Sequence, residues 1–173
     1  MAAGPIDPIE LIAAATEFAE HQADAERPRP IWLRRAVSSA YYALFHAIST
    51  QAADHLLPEA AHEDRLRLAR SFGHRPLKEV CEWISGRRGR PPQHAKPLVW
   101  SLGAAPVADV AATFCDLQEA RHRADYDHLA LFPEDDLLEY VGDAEAAIWD
   151  LATEPASQRQ AFFALVSLRA SLR

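Results

Sequence analysis

The chain has 173 residues, of which 49% are apolar, a net charge of −7 and two cysteines. That length and apolar share suffice for one domain with a sizeable core. The acidic balance argues against a protein whose whole surface is given to nucleic acid, and two cysteines make no disulfide framework.

The N-terminus, MAAGPIDPIE, lacks the positive and then apolar regions of a signal peptide, and no apolar run reaches bilayer length. A soluble cytoplasmic protein without membrane association is expected. Asp7, Pro8 and Glu10 form a capping-box start, and Leu11, Ile12, Ala15, Phe18 and Ala19 mark the inner face of a first helix ending near Ala23. Prolines at alternate positions then require extended chain over Glu26 to Pro30.

The second helix, Ile31 to about Leu56, is the expected structural centre. Leu33, Val37, Tyr41, Leu44 and Ile48 form one stripe and Tyr42 and Phe45 a second, so several neighbours should bury it. Arg35, Ser38 and Ser49 share a flank with Tyr42, a mixed face suited to a partner helix or a second subunit. His46 reads as a structural histidine among aromatic neighbours, whereas His62 and His74 read as surface residues.

Shorter helices are expected over Pro58 to Arg70 and Pro76 to Ile84. Between Ser85 and Pro106 the sequence changes character: SGRRGRPPQHAKP has glycines, prolines and no apolar period, the pattern of a long exposed loop. Arg87, Arg88 and Arg90 there could follow phosphates electrostatically, though no aromatic residue is interleaved to stack bases. Cys81 and Cys115, on either side of this loop, sit in apolar helical patterns and read as buried, reduced thiols.

Val107, Val110, Phe114 and Leu117 carry the stripe of a fourth main helix, Val107 to Tyr126, and Arg121 falls on the same stripe. Arg121 should therefore point toward protein. Arg123 falls with Asp116 and Glu119 and reads as a solvated ion-pair partner. Pro133 opens a fifth main helix whose first-turn acids, Glu134, Asp135 and Asp136, suit its dipole, and Leu137, Val141, Ala144, Ile148 and Leu151 form its inner face. Pro155 interrupts or kinks it, and Ala161, Phe162, Leu165 and Leu168 mark a last amphipathic helix. No strand of convincing length, internal repeat, phosphate loop or nucleophile elbow is present, so the fold class is all-α, an up-and-down bundle.

Two stretches carry a resemblance. RRAVSSAYYALFHAI in the second helix, paired with LQEARHRADYDH at the end of the fourth, resembles the HEPN superfamily, in particular its branch with an AYYA-type helix and an R-x-x-ADY stretch. By helix order the resemblance covers roughly Pro8 to Ala152. Within a single HEPN-like domain over the whole chain, residues 85–106 then look like a loop insertion and those from 155 like a helical extension. The resemblance implies an antiparallel helical bundle of about five main helices, usually dimeric, and in many members a metal-independent ribonuclease. Its motif is an Arg, a polar residue and a later His. Arg121, His122 and His128 fit with six intervening residues, and Arg123 and His128 with four, but the latter puts Ala124 in the polar slot. Arg67 with His74, and Arg87 or Arg88 with His94, also satisfy the spacing.

RNA carries its own nucleophile in the 2′-hydroxyl, so one proton-transfer group and one cation can suffice. His128 would move the proton and Arg121 would hold the phosphorane charge, with His122 or Asp125 orienting groups around them. The structural alternative is that Arg121 caps the helix end or pairs with Asp125 four residues on, while His128 lies in a wet loop. His122, Asp125, Asp127 and His128 match no established metal-ligand spacing, and no cofactor is expected. The expected partners are RNA, a second copy of the chain, and a cognate antitoxin or nucleotidyltransferase in a toxin and antitoxin or defence system. In the alternative, the same cluster is the binding surface of a non-catalytic interaction module.

Overall fold

The computed structural model describes residues 6–23, 30–87 and 89–171. Among them the chain forms eight helices and no strand: α1 (Pro8–Ala23), α2 (Pro30–Leu56), α3 (His62–Ala69), α4 (His74–Ile84), α5 (Lys96–Gly103), α6 (Val107–Tyr126), α7 (Glu134–Thr153) and α8 (Ala156–Ser171). The all-α class is therefore as the periodicity requires. The extended segment expected from Glu26 lies, up to residue 29, outside the described residues.

α2 is the axis of the bundle, packed by α1, α3, α6, α7 and α8. Its position follows from its composition, since residues on every side of it are apolar and Tyr41, Leu44 and Ile48 are fully buried. α1 begins as its sequence specifies, with the Ile9 amide donating to Asp7 Oδ1 at 2.9 Å, and it meets α2 through the Phe18 and Trp32 rings, 5.2 Å apart. The main core gathers Phe114 and Leu117 of α6, Leu77 and Val80 of α4 and Phe162 of α8 around α2. Truncating a buried ring such as Phe114 to Ala would cost about 3–5 kcal/mol. A second cluster, Leu33, Val37, Ala120, Ala124, Phe132 and Leu137, seals the end of α6 against the starts of α2 and α7.

Four expectations are corrected here. Residues 85–106 are not one continuous loop, because Lys96–Gly103 is a helix whose Val99 and Leu102 enter the main core. Its short length and the prolines before it hide the period, and its packing is close: a Cβ at Gly103 would stand 3.1 Å from the Ile84 carbonyl oxygen. The third helix is also shorter than expected, since a turn occupies residues 58–60 and α3 starts at His62. Pro133 sits at the N-cap of α7, one place before its expected position. Leu168 of the last helix is 51% exposed, whereas Phe162 and Leu165 are buried as expected.

α8 is tied to the body by the buried Glu79 of α4, whose Oε2 accepts from Arg169 Nε at 2.6 Å. Burial pushes the Cys115 thiol up to about 11 and the Cys81 thiol well above its usual range, so both remain protonated. No single helix among the described residues is long and apolar enough to cross a membrane.

Candidate functional site

Arg121 leaves the buried stripe of α6 one turn beyond Leu117 and comes to rest between α2 and its own helix end. Its Nη2 donates to the Tyr42 hydroxyl at 3.0 Å. Its Nε stands 2.6 Å from Asp125 Oδ2, a close ion pair that is not aligned as an N–H···O hydrogen bond. The guanidinium carbon lies 5.9, 5.5 and 5.6 Å from the ring centres of Tyr41, Tyr42 and Tyr126. A weakly hydrated, planar cation tolerates such a site because ring faces and a carboxylate replace part of its water. Burial acts to lower its pKa, but Tyr42 and Asp125 outweigh that and raise it, so the charge is fixed. Asp125 is held from the other side by Ser38 Oγ, which donates to Oδ1 at 2.8 Å. The mixed flank of α2 thus faces a partner helix within the same chain.

Arg121 also opens onto a groove of about 630 Å³ between α4 and α6. Four cations, Arg75, Lys78, Arg121 and Arg123, line it against one carboxylate, Glu119, with His74 and His122 between them. On a chain of net charge −7 this is a local inversion of sign, and such a groove concentrates anions.

His74 opens α4 and is solvent-accessible, as the sequence suggested, yet its ring is not free. Nδ1 lies 2.7 Å from the Tyr41 hydroxyl, and the imidazole packs on Phe45 with ring centres 3.9 Å apart. Burial, then the Arg121 charge and His46, push its pKa below the usual histidine value, so it is neutral at pH 7. His46 is lowered as well, by burial. Nothing local in the sequence distinguishes His74, because the residues that engage it lie on α2 and α6.

The other expected site residues divide. Arg121 and Asp125 meet, and His122 lines the groove beside the Tyr126 ring at 5.0 Å. His128 does not join them: it is exposed in the turn after α6, and among the described residues no hydrogen bond, ion pair or ring contact links it to Arg121 or Asp125. That turn is anchored by Arg34, which sequence reasoning passed over. Its Nη1 donates to the carbonyl oxygens of Ala124 at 2.7 Å and Asp127 at 2.8 Å, and its Nη2 to that of Ala130 at 2.9 Å. The carbonyls at a helix end have no partner within the helix, and an arginine fork supplies one. The Leu129 amide donates to Asp127 Oδ1 at 2.9 Å and tightens the same turn.

Arg123 is exposed, as expected, but it stands over the Phe132 ring at 5.5 Å, while Asp116 pairs with Arg87 and Glu119 with Lys78. Arg87 grips Asp116 through two hydrogen bonds of 2.7 and 2.6 Å, and Arg88 lies outside the described residues. Arg67 pairs with Glu63 and Asp64 on the exposed face of α3. Among the described residues no three His, Cys, Asp or Glu side chains converge as a metal site would need.

No protein-family model, curated protein or solved structure matches the chain.

Proposed function

We propose that the chain is a HEPN-type helical domain, the RNA-cleaving or RNA-binding component of a toxin and antitoxin or defence system, with Arg121 as its anion-holding residue. One observation carries this reading. The two stretches that resemble the family, 79 residues apart along the chain, meet through the hydrogen bond from Arg121 to Tyr42 at the mouth of a cationic groove. An internucleotide phosphate entering the groove finds Arg121 fixed by Asp125 and Tyr42, with no reorganisation needed to meet developing charge. The 2′-hydroxyl supplies the nucleophile, His128 carries a proton, and Asp125 orients the arginine. Since His128 stands apart from Arg121 in one copy, a second copy is the partner this reading needs. Tyr126, Leu129 and Leu131, 62%, 89% and 83% exposed, flank His128 and offer apolar surface for it.

The purified chain incubated with a mixed RNA pool, with and without chelator, tests the proposal. Cleavage that persists in chelator and drops by about a hundredfold in Arg121→Ala supports it; an intact pool refutes the enzymatic form. Light scattering at micromolar protein should report a dimer, and a monomer would remove the composite site.

The second reading is a non-catalytic module whose partner is a nucleotidyltransferase or another protein such as an antitoxin. The closure of Arg121 by Asp125 and Tyr42, with His128 out of reach, favours it. Binding of RNA or of the partner without cleavage, lost in Arg121→Ala, would mark this outcome.

A further inference from the structure

Cleavage of an RNA strand by its own 2′-hydroxyl moves two protons, one off the attacking oxygen and one onto the leaving oxygen. The Arg and His spacing at the end of α6 supplies a single proton-transfer histidine. The groove contains another that the motif does not include.

We infer that His74 is the proton-accepting residue of this groove, taking the 2′-hydroxyl proton on Nε2 while Arg121 holds the phosphoryl oxygens beside it. This rests on the reading that the groove takes RNA. Three features of the site support it. His74 and Arg121 line the same wall-to-wall groove from α4 and α6, so a phosphate on the arginine lies within reach of the imidazole. The ring is held by Tyr41 at Nδ1 and by the tilted Phe45 ring, while the residue itself is exposed and Nε2 has no hydrogen-bond partner among the described residues. The Tyr41 hydroxyl both donates and accepts, so its contact with Nδ1 admits the tautomer that carries the proton on Nδ1. In that tautomer Tyr41 accepts from Nδ1–H and Nε2 carries the bare lone pair.

The step balances without a co-reactant. Nε2 takes the 2′-proton as the 2′-oxygen to phosphorus bond forms, the bond from phosphorus to the 5′-oxygen breaks, and His128 of the second copy, acting as the acid, gives a proton to that oxygen. The products are a 2′,3′-cyclic phosphate and a 5′-hydroxyl, and the two histidines exchange protons with solvent to reset.

The base must be neutral to act, so activity rises with pH through the His74 titration. The titratable and charged groups that face this ring are Tyr41, Tyr42 and His46 of α2, Arg75 and Lys78 of its own helix, Glu119, Arg121, His122 and Arg123 of α6, and Arg70 across the neighbouring cavity. Burial first, then the Arg121 charge and His46, move the acid limb below the ordinary histidine value of about 6.5.

The test is cleavage of a defined oligoribonucleotide by the full chain across the histidine range, for wild type and His74→Asn, which keeps a polar group toward Tyr41 and removes Nε2. The expected result is a fall in kcat of about a hundredfold, an unchanged KM and loss of the acid limb. Wild-type kcat in the variant, or a reduced rate with the acid limb in place, overturns the role of His74 while the RNA reading stands. A wild-type chain that cleaves no RNA overturns both. If the variant loses helicity, the His74 ring is followed by NMR in the unaltered protein: a titration midpoint on the acid limb of kcat/KM supports the proposal, and a midpoint elsewhere overturns it.

Discussion

The Arg34 guanidinium closes the C-terminal end of α6 by donating to the Ala124 carbonyl oxygen at 2.7 Å. The same fork holds the turn that presents His128 through the Asp127 and Ala130 carbonyls. Charge-assisted bonds of this kind contribute more than neutral ones, so Arg34→Ala should destabilise the chain by about 2 kcal/mol. Urea unfolding measures the loss, and hydrogen exchange should quicken first at residues 127–132. Arg34→Lys should recover only part, because an ammonium cannot span the three carbonyls as a planar fork does.

Arg121 and Arg123 should separate cleanly. Arg121→Ala leaves Asp125 partly buried, held by Ser38 without its counter-charge, and should cost about 2 kcal/mol as well as the function of the groove. Arg123→Ala removes an exposed contact with the Phe132 ring, worth about 0.5 kcal/mol. Melting curves and RNA binding on both variants check the ranking. The reverse order would place the working arginine on the exposed face of α6.

Acid should weaken the fold through His74 and His46, both lowered by burial. A histidine with a folded pKa below its unfolded value of about 6.5 binds more protons when unfolded. Stability is therefore full above that value and falls as the pH drops through the window between the two. The melting temperature of the wild type should decline on acidification below about pH 6.5, and His46→Gln should show a shallower decline. A profile with no such difference would mean that the His46 imidazole is as well solvated as in the unfolded chain.

Glu154 sits at the C-cap of α7, 7% exposed, with Oε2 unpartnered among the described residues. Burial and then Asp150 push its pKa above the usual carboxylate value. A carboxylate at the negative end of a helix dipole opposes folding, so Glu154→Gln should stabilise by about 0.3–1 kcal/mol at neutral pH. The gain should shrink as the pH falls and the carboxyl of the wild type takes up its proton. Thermal melts at two pH values measure both effects.

The sequence by itself determined the elements whose signals are local. α1, α2, α6 and α7 lie within a residue or so of their expected spans, because apolar period, a capping Asp and boundary prolines act along a single stretch of chain. The same period put Arg121 on the inward face of α6, and the pairing with Asp125 followed from their four-residue spacing. What the tertiary structure decided was every contact between distant stretches. α5 is stable only because Val99 and Leu102 find a core, which eight residues after a proline-rich run cannot announce. Arg34 became a cap for α6, and His74 a groove residue beside Arg121, through partners 33 to 96 positions away. Such contacts depend on how helices pack, a property of the whole set of buried faces and of no single segment.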